Sequence, residues 1–470
     1  MIMIGWMTMA KLFARFIEPP RDRIPAEKQM FSNADLKALI IPLIIEQVLV
    51  MTVGMADTMM VSHAGEAAIS GVSLVDMING VFTYVFNALA TGGVIVVSQY
   101  MGNQDLVRAR RSASQLILIS VLASLVFLGG MMLGNRSLLG LLFGQIEDSV
   151  MDAALTYLVI TAFSYPFMAA YSAFAALFRA MGNSRVTMRV SLGMNIMNVI
   201  GNAIGVFVLE AGVAGVAISS LLARAAAAAV LFFMLLDQKR PISIRVREVF
   251  SLSGDLVRRI LKIAIPSGVE SGFFQISRVI LTSIIATFGT AQIAANGVAV
   301  SIDNINTIVN SAMSLALPTV VGRCVGAGDY VQATYYIKKM LLIAQFGSML
   351  INITVFLSLP AVLSLYDLSA EAAWYAGVLV AIHSGWTILL GTSSGPLPSA
   401  LRAAGDARYT MTIAVLGLLI GRLFFSVVFS LWLDLGIIGM WLAMGTHWSF
   451  NSIGGYLRFR SGKWKTKKVI

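Results

Sequence analysis

Long apolar segments separated by short polar joins recur from residue 38 to residue 457. Each segment exceeds 20 residues, which is enough to cross a hydrocarbon layer of about 30 Å at about 1.5 Å per residue. The segments are 38–61, 71–98, 112–134, 153–178, 187–208, 211–236, 261–286, 293–321, 340–365, 374–400, 410–432 and 436–457. The pattern predicts an all-α polytopic membrane protein with twelve transmembrane helices and no large soluble domain.

The two halves of the chain repeat each other. Residues 42–105 align with residues 266–329 at a displacement of 224 without a gap, so that Glu46 falls on Glu270 and the join "MGNQD" falls on "VGAGD". A displacement of 223 places "FRAMGNSRVTM" on "LRAAGDARYTM". Because each half has an even number of spans, both halves have the same orientation. The sequence therefore predicts two pseudo-symmetric six-helix bundles in a parallel repeat, an arrangement that favours a transporter.

The repeat and the polar segments around it divide the chain into five predicted parts. They are a cytoplasmic amino-terminal segment (1–36), a first bundle (37–236), a cytoplasmic linker (237–259), a second bundle (260–457) and a basic cytoplasmic tail (458–470). The start of the chain lacks a charged region before its apolar stretch and a small-residue cleavage site, so no signal peptide is expected.

The distribution of charge predicts how the chain is oriented in the membrane. The chain is 58% hydrophobic and only 12% charged, with a net charge of +11, whereas soluble domains carry about 25% charged residues. Thirty of the 34 Lys and Arg residues lie in the termini and the even-numbered joins, and the odd joins carry acids. By the positive-inside rule, both termini are expected in the cytoplasm of a multi-pass cell-membrane protein. The basic charge therefore indicates anionic lipid headgroups rather than nucleic acid as partners.

Two carboxylates in the first predicted helix are the main candidates for chemistry. Glu46 and Asp57 are eleven residues apart, which at 100° per residue places them on one helix face. A charge at the bilayer centre costs at least about 2.5–3.5 kcal/mol on insertion scales. The pair indicates a proton or cation relay, or alternatively a structural pair held by polar neighbours. Asn198 and Asn202, in "NIMNVIGN" of the fifth span, are either interhelical hydrogen-bonding groups or a network that reaches Asp57.

The second bundle has its own charged candidates for substrate contact or coupling. Glu270 is the repeat mate of Glu46, and Arg278 lies eight residues later, about 80° around the helix, so the two are not expected to pair directly. Asp303 lies in the outer part of the eighth span. Its nearness to the helix end could explain this charge structurally, without a role in function. The chain has one cysteine and three histidines, and they do not show the spacing of metal ligands. It also has no nucleotide-binding loop and no nucleophile–base pair. Neither an enzyme, a metal site nor a cofactor is therefore expected.

The motifs "GMADTMMVSHAG", "MGNQD"/"VGAGD" and "RAMGNSR"/"RAAGDAR" resemble those of the multidrug and toxic compound extrusion (MATE) family over residues 35–460. The resemblance implies two bundles around a V-shaped cleft, and export of cationic or amphiphilic compounds driven by inward flow of H⁺ or Na⁺. By it, Asp57 corresponds to the coupling aspartate of the first helix and Asn198 to a polar partner on the fifth.

The chain departs from the family pattern at other coupling positions. Asn202 stands where DinF-like members carry a second aspartate. NorM-like members carry one acid further along the seventh helix and one in the tenth. Here the seventh helix has Glu270, at least a turn earlier, and the tenth has no acid between Trp374 and Arg402. These departures leave H⁺ and Na⁺ both open and suggest that Glu46 shares the coupling role.

The sequence thus predicts a monomeric secondary active antiporter that exports cationic or amphiphilic small molecules by alternating access. The alternative is a flippase for a lipid-linked saccharide or peptide precursor, and a central cavity with several arginines would favour its pyrophosphate. Five intramembrane acids against three arginines favour cationic substrates.

Overall fold

The computed structural model describes residues 24–63, 65–144, 147–366, 368–467 and 469–470. Most of the predicted amino-terminal segment, residues 1–23, lies outside the described residues. In the described part of the chain, each predicted span coincides with one helix or with a run of helical segments, numbered α1 to α12 in chain order. The predicted all-helical fold with twelve spans is therefore confirmed.

The helices have the following bounds. They are α1 Asn33–Ser62, α2 Glu66–Gly102, α3 Leu106–Phe143, α4 Asp148–Ala162 and Tyr165–Ala180, α5 Ser184–Ala203 continued by the π-helical Ile204–Val208, α6 Gly212–Leu235, α7 Gly254–Ile285, α8 Thr290–Asn306 and Ile308–Gly326, α9 Tyr330–Leu363, α10 Ala370–Ala403, α11 Ala407–Trp432 and α12 Gly436–Arg460. Short helices Ala26–Lys28, Val246–Val249 and Lys463–Thr466 lie outside the spans.

Nine of the described helices are long and apolar enough to cross a membrane, and α4 makes a tenth if its two segments form one span. The α4 segments meet at 47°, and Pro166, in the first turn of the second segment, cannot donate a backbone hydrogen bond. Helices α7 and α12 have sufficient length, but they are more polar. The first contains Glu270 and Arg278, and the second contains a run of Thr, His, Ser and Asn.

The repeated joins "MGNQD" and "VGAGD" begin the third helix of each half. Asp105 accepts a hydrogen bond from the backbone N–H of Arg108 at 2.9 Å, and its repeat mate Asp329 accepts one from Gln332 at 2.9 Å. Both aspartates thereby cap an otherwise unpaired helix amino terminus. The motif thus has a local structural function, which is to start α3 and α9 at equivalent positions.

The described residues form two compact units. The first unit comprises residues 37–268, and the second comprises residues 24–36 and 269–470. Each unit has its own apolar core, which in the first unit includes Val75 and Tyr165 and in the second Ala299 and Trp441. The two unit boundaries fall within helices α1 and α7, so the segment predicted as a separate linker, 237–259, belongs to the first unit.

Polar contacts explain why the segments before α1 and α7 join these units. In the second unit, the backbone N–H of Met30 donates to Gln332 at 2.8 Å, and the hydroxyl of Tyr336 both accepts from and donates to the backbone of Phe31. In the first unit, the side chain of Gln115 bonds the backbone of Ser251 and Ser253 at 2.8 Å each. Each segment is thus fixed to the third helix of a repeat.

Candidate functional site

The carboxylate of Asp57 faces the polar side of α5. The amide nitrogen of Asn202 donates a hydrogen bond to Asp57 at 2.6 Å and a longer one, 3.4 Å, to the side-chain oxygen of Asn198. Asn198 in turn donates to the hydroxyl of Ser220 on α6 at 3.0 Å. Asn198 and Asn202 are buried and Asp57 is half-buried. The structure therefore brings together the predicted site residues Asp57, Asn198 and Asn202.

Helical spacing places the α5 amides on one line. Asn195, Asn198 and Asn202 are three and four residues apart, which puts them on the same side of a helix, and all three are buried in the first unit. The side-chain oxygen of Asn202 is buried without a hydrogen-bond partner in the described part of the chain. A buried acceptor without a partner is uncommon in proteins, and this one belongs to the residue that holds Asp57.

Two further charged residues lie within electrostatic range of Asp57 and were not among the predicted site residues. They are Asp76 on α2 and Arg224 on α6. Asp76 accepts hydrogen bonds from Tyr157 and, at 3.4 Å, from Asn79, which itself accepts from Tyr165 at 2.8 Å. One feature of the sequence could have identified them as site residues, since each is an isolated charge in an otherwise apolar span.

Arg224 is oriented by the break in α4. Its guanidinium donates to the hydroxyl of Ser164 at 2.7 Å, and Ser164 donates to the backbone oxygen of Thr161 at 2.6 Å. Ser164 lies between the two α4 segments, where the bend makes it available. The acidic cluster, defined as Asp57, Asp76, Asn202 and Arg224, therefore contains two carboxylates and one guanidinium.

Glu46 contacts the opposite end of α5 and belongs to a different set of contacts. It accepts a hydrogen bond from Thr187 at 3.0 Å and lies 3.9 Å from the guanidinium of Arg179 at the end of α4. Glu46 is only 6% exposed. Both α1 carboxylates thus face α5, in agreement with the one-face prediction. No contact joins Glu46 to Asp57 among the described residues.

The same ion pair recurs in the second half of the chain. Glu270 on α7 contacts Arg402 on α10 at 2.7 Å. Glu270 is displaced by 224 residues from Glu46, and Arg402 by 223 residues from Arg179. Each repeat therefore connects its first helix to the end of its fourth by a Glu–Arg pair. The motifs "RAMGNSR" and "RAAGDAR" supply these arginines.

The remaining predicted residues of the second bundle form a cluster with more positive charge. Asp303 contacts the ring of His383, which is almost fully buried and lies edge-on to Trp448 at 5.2 Å. Asp303 and Arg278 are both within electrostatic range of Arg422. With two arginines and one carboxylate, this cluster has no excess negative charge.

Comparison with known proteins assigns the chain to a family. A family model described as MatE matches the chain twice, over residues 42–204 and 266–428, at the displacement of 224 seen in the repeat. The chain belongs to the MATE family of transporters. The resemblance inferred from its motifs is therefore confirmed, and the protein is a multi-pass membrane transporter.

Relatives in the MATE family match over nearly their whole length. The chain is 26% identical to the uncharacterized transporter YisQ of Bacillus subtilis (strain 168), over 94% of this chain and 96% of the relative. It is 23% identical to the probable multidrug resistance protein NorM of Thermotoga maritima, over 96% and 97% respectively.

Solved structures show the same fold. One is the outward-facing conformation of a multidrug resistance MATE family transporter of the MOP superfamily, with a TM-score of 0.83, 19% identity, and coverage of 91% of this chain and 95% of that one. Another is a MOP superfamily transporter from Pyrococcus furiosus, with a TM-score of 0.82, 18% identity and coverage of 91% and 96%.

Close contact between α5 and α6 positions the amides in this MATE-family chain. The backbones of Gly205 and Gly215 meet so closely that a Cβ on Gly205 would lie 2.8 Å from the Cα of Gly215. Gly205→Ala is expected to separate the helices and weaken the bond from Asn198 to Ser220. We expect the free energy of unfolding to fall by roughly 1–3 kcal/mol, which would be measured as a lower midpoint of thermal unfolding.

The matched control for this substitution is Gly193→Ala on the same helix. A Cβ on Gly193 meets nothing within 4 Å, so the midpoint should stay the same or rise slightly, because alanine favours a helix over glycine. Equal midpoints for the two variants would contradict the proposed importance of this close contact.

Proposed function

We propose that this transporter is a secondary active antiporter that exports cationic or amphiphilic small molecules in exchange for H⁺ or Na⁺. In this proposal, both termini are cytoplasmic and the coupling ion binds at Asp57. The observation that carries the proposal is the acidic cluster, in which two carboxylates face one guanidinium and Asp57 is held by a buried amide of α5.

Charge balance explains why a cation would bind there. With Asp57 and Asp76 ionised, the cluster carries one more negative than positive charge. An unbalanced charge within a membrane-spanning bundle is costly, and H⁺ or Na⁺ would neutralise it. The unpartnered oxygen of Asn202 suits either ion, since it can accept a hydrogen bond from a protonated carboxyl or coordinate Na⁺.

Ion binding would be linked to transport through the helices that form the cluster. Asp57, Asp76, Asn202 and Arg224 lie on α1, α2, α5 and α6, so neutralising the cluster changes the free energy of packing these four helices together. An ion shifts the balance between two conformations only through its different affinity for each. We propose that the ion and the exported substrate favour different packings of the first unit.

The second bundle is assigned a supporting role in this proposal. Because Arg278 and Arg422 outnumber Asp303 there, that cluster does not supply an unbalanced carboxylate. Contact of Glu270, Arg278 and Asp303 with substrate or ion stays a prediction, as does the coupling role of Glu46. The names of the NorM relatives, probable multidrug resistance proteins, support export of small molecules over a flippase.

Proteoliposomes test the proposed antiport directly. With the purified protein and ethidium as the probe, an imposed H⁺ or Na⁺ gradient is expected to move ethidium against its own gradient. A pH-sensitive dye in the lumen, read with and without Na⁺, identifies the ion, because only H⁺ exchange changes the luminal pH when ethidium is added.

Two outcomes of this experiment would contradict the proposal. Ethidium movement only down its own gradient, unaffected by either ion, would indicate a passive pathway. Translocation of a lipid-linked saccharide without any movement of ethidium would favour the flippase. Protein-free liposomes are the control for leakage.

A further inference from the structure

A cavity of about 270 Å³ lies at one end of the second unit. It is bounded by the first turns of α9, the last turns of α12 and the tail that follows α12. Pockets for drug-sized ligands begin at about 300 Å³, so this volume suits a small polar group. The cavity involves none of the residues assigned to ion coupling.

Three basic side chains line the cavity, and no acidic residue does. They are Lys338 on α9, Arg460 at the end of α12 and Lys465 in the tail. In the described part of the chain, none of the three forms an ion pair. Three cations around one cavity repel each other and attract an anion.

The tail is fixed against α12, which holds Lys465 at the cavity. Gly462 adopts a φ of +69° and reverses the chain. Trp464 is then fully buried, with its ring stacked on Phe459 at 5.7 Å and its indole N–H donating to the backbone oxygen of Phe459 at 3.0 Å. The ammonium of Lys465 lies 5.6 Å from the centre of the Trp464 ring.

The neighbouring Arg458 is paired within the fold, whereas Arg460 is not among the ion pairs of the described residues. Arg458 binds both oxygens of the buried Asp406, at 2.5 and 3.1 Å, and lies over the ring of Tyr409 at 4.5 Å. Its charge is balanced within the fold. Arg460, two residues later, is exposed at the cavity without such a partner.

An apolar strip continues from the cavity along α12. Ile453 and Leu457 are 46% and 58% exposed, and at seven and three residues before Arg460 they lie on the same side of the helix. Because α12 is a membrane helix, this strip is placed to contact acyl chains while Arg460 contacts a headgroup.

We propose that this cavity binds the phosphate group of an anionic phospholipid. Lys and Arg bind phosphate oxygens through charge-assisted hydrogen bonds, and basic pockets at the ends of membrane helices are typical headgroup sites. The phosphate chemistry is shared with soluble phosphate esters, whereas the apolar strip beside Arg460 favours the lipid. The site is independent of the proposed antiport.

Native mass spectrometry of the full-length, delipidated protein tests the site. The probes are palmitoyl-oleoyl phosphatidylglycerol, the corresponding phosphatidylcholine and soluble glycerol phosphate. The variant combines Lys338→Gln, Arg460→Gln and Lys465→Gln. Its matched control combines Arg247→Gln, Lys463→Gln and Lys467→Gln, which removes the same charge from exposed positions outside the cavity.

The cavity variant is expected to bind phosphatidylglycerol about tenfold or more weakly, with the control close to wild type. A second variant, Lys338→Arg with Lys465→Arg, keeps the charge and should keep binding, which separates loss of charge from loss of folding. Equal binding of glycerol phosphate would assign the site to a soluble ester. Equal weakening in both triple variants, or equal affinity for phosphatidylcholine, would overturn the proposal.

Discussion

Asp57→Asn is expected to abolish ion-coupled efflux while the protein still folds and inserts. Asparagine has nearly the same volume as aspartate, and its oxygen can still accept the hydrogen bond that Asn202 donates to Asp57. It can neither ionise nor release a proton near neutral pH. Gradient-driven ethidium transport should therefore fall to the level of protein-free liposomes.

Two measurements distinguish loss of coupling from loss of structure. Exchange of labelled for unlabelled ethidium without an ion gradient should persist in Asp57→Asn, because the transport pathway remains. Glu66→Gln, in the exposed first turn of α2, removes an acid outside the cluster and should transport normally. Undiminished coupled transport in Asp57→Asn would remove this residue from the mechanism.

The second carboxylate of the cluster provides a further comparison. Asp76 is within electrostatic range of both Asp57 and Arg224, so Asp76→Asn leaves one carboxylate, Asp57, to balance Arg224 and removes the excess negative charge. Coupling should weaken while substrate exchange continues. If Asp76→Asn abolished coupling and Asp57→Asn did not, the coupling carboxylate would be Asp76.

Breaking the Glu270–Arg402 pair is expected to lower the free energy of unfolding by a measurable amount. The pair is 2.7 Å long, with side chains 25% and 16% exposed. Removing one partner of a fully buried pair costs about 3–5 kcal/mol. Partial exposure reduces this to roughly 1–3 kcal/mol for Glu270→Gln or Arg402→Gln, or several degrees in the unfolding midpoint.

A double-mutant cycle measures the interaction free energy between Glu270 and Arg402. The two single variants and their combination should be non-additive by about 0.5–3 kcal/mol. The same cycle at Glu46 and Arg179, where the ions are 3.9 Å apart, should give a smaller value. Additive effects at Glu270 and Arg402 would contradict a direct contribution of this contact.

The cycle also tests the predicted coupling role of Glu46. If Glu46 acts only through Arg179 and Thr187, Glu46→Gln lowers stability and leaves coupled transport intact. Loss of coupling in a folded Glu46→Gln variant would assign it the relay role predicted from its position on the face of Asp57.

The sequence by itself determined the fold and its repeat. Span length, the alternation of basic and acidic joins and the displacement of 224 residues are all properties of the linear chain, because the membrane imposes the same thickness and charge preference on every span. The sequence also singled out Asp57 and the amides Asn198 and Asn202 as candidates, since polar groups in apolar helices stand out without any knowledge of neighbours.

Only the tertiary structure decided which groups meet. Glu46 and Asp57 share a helix face, yet one contacts Thr187 and Arg179 and the other Asn202, because α4 and α5 present different residues at the two depths. Asp76 and Arg224 joined the cluster through the packing of α2 and α6 and the bend in α4. Helical periodicity fixes the side from which a residue projects, whereas its partner depends on the packing of other helices.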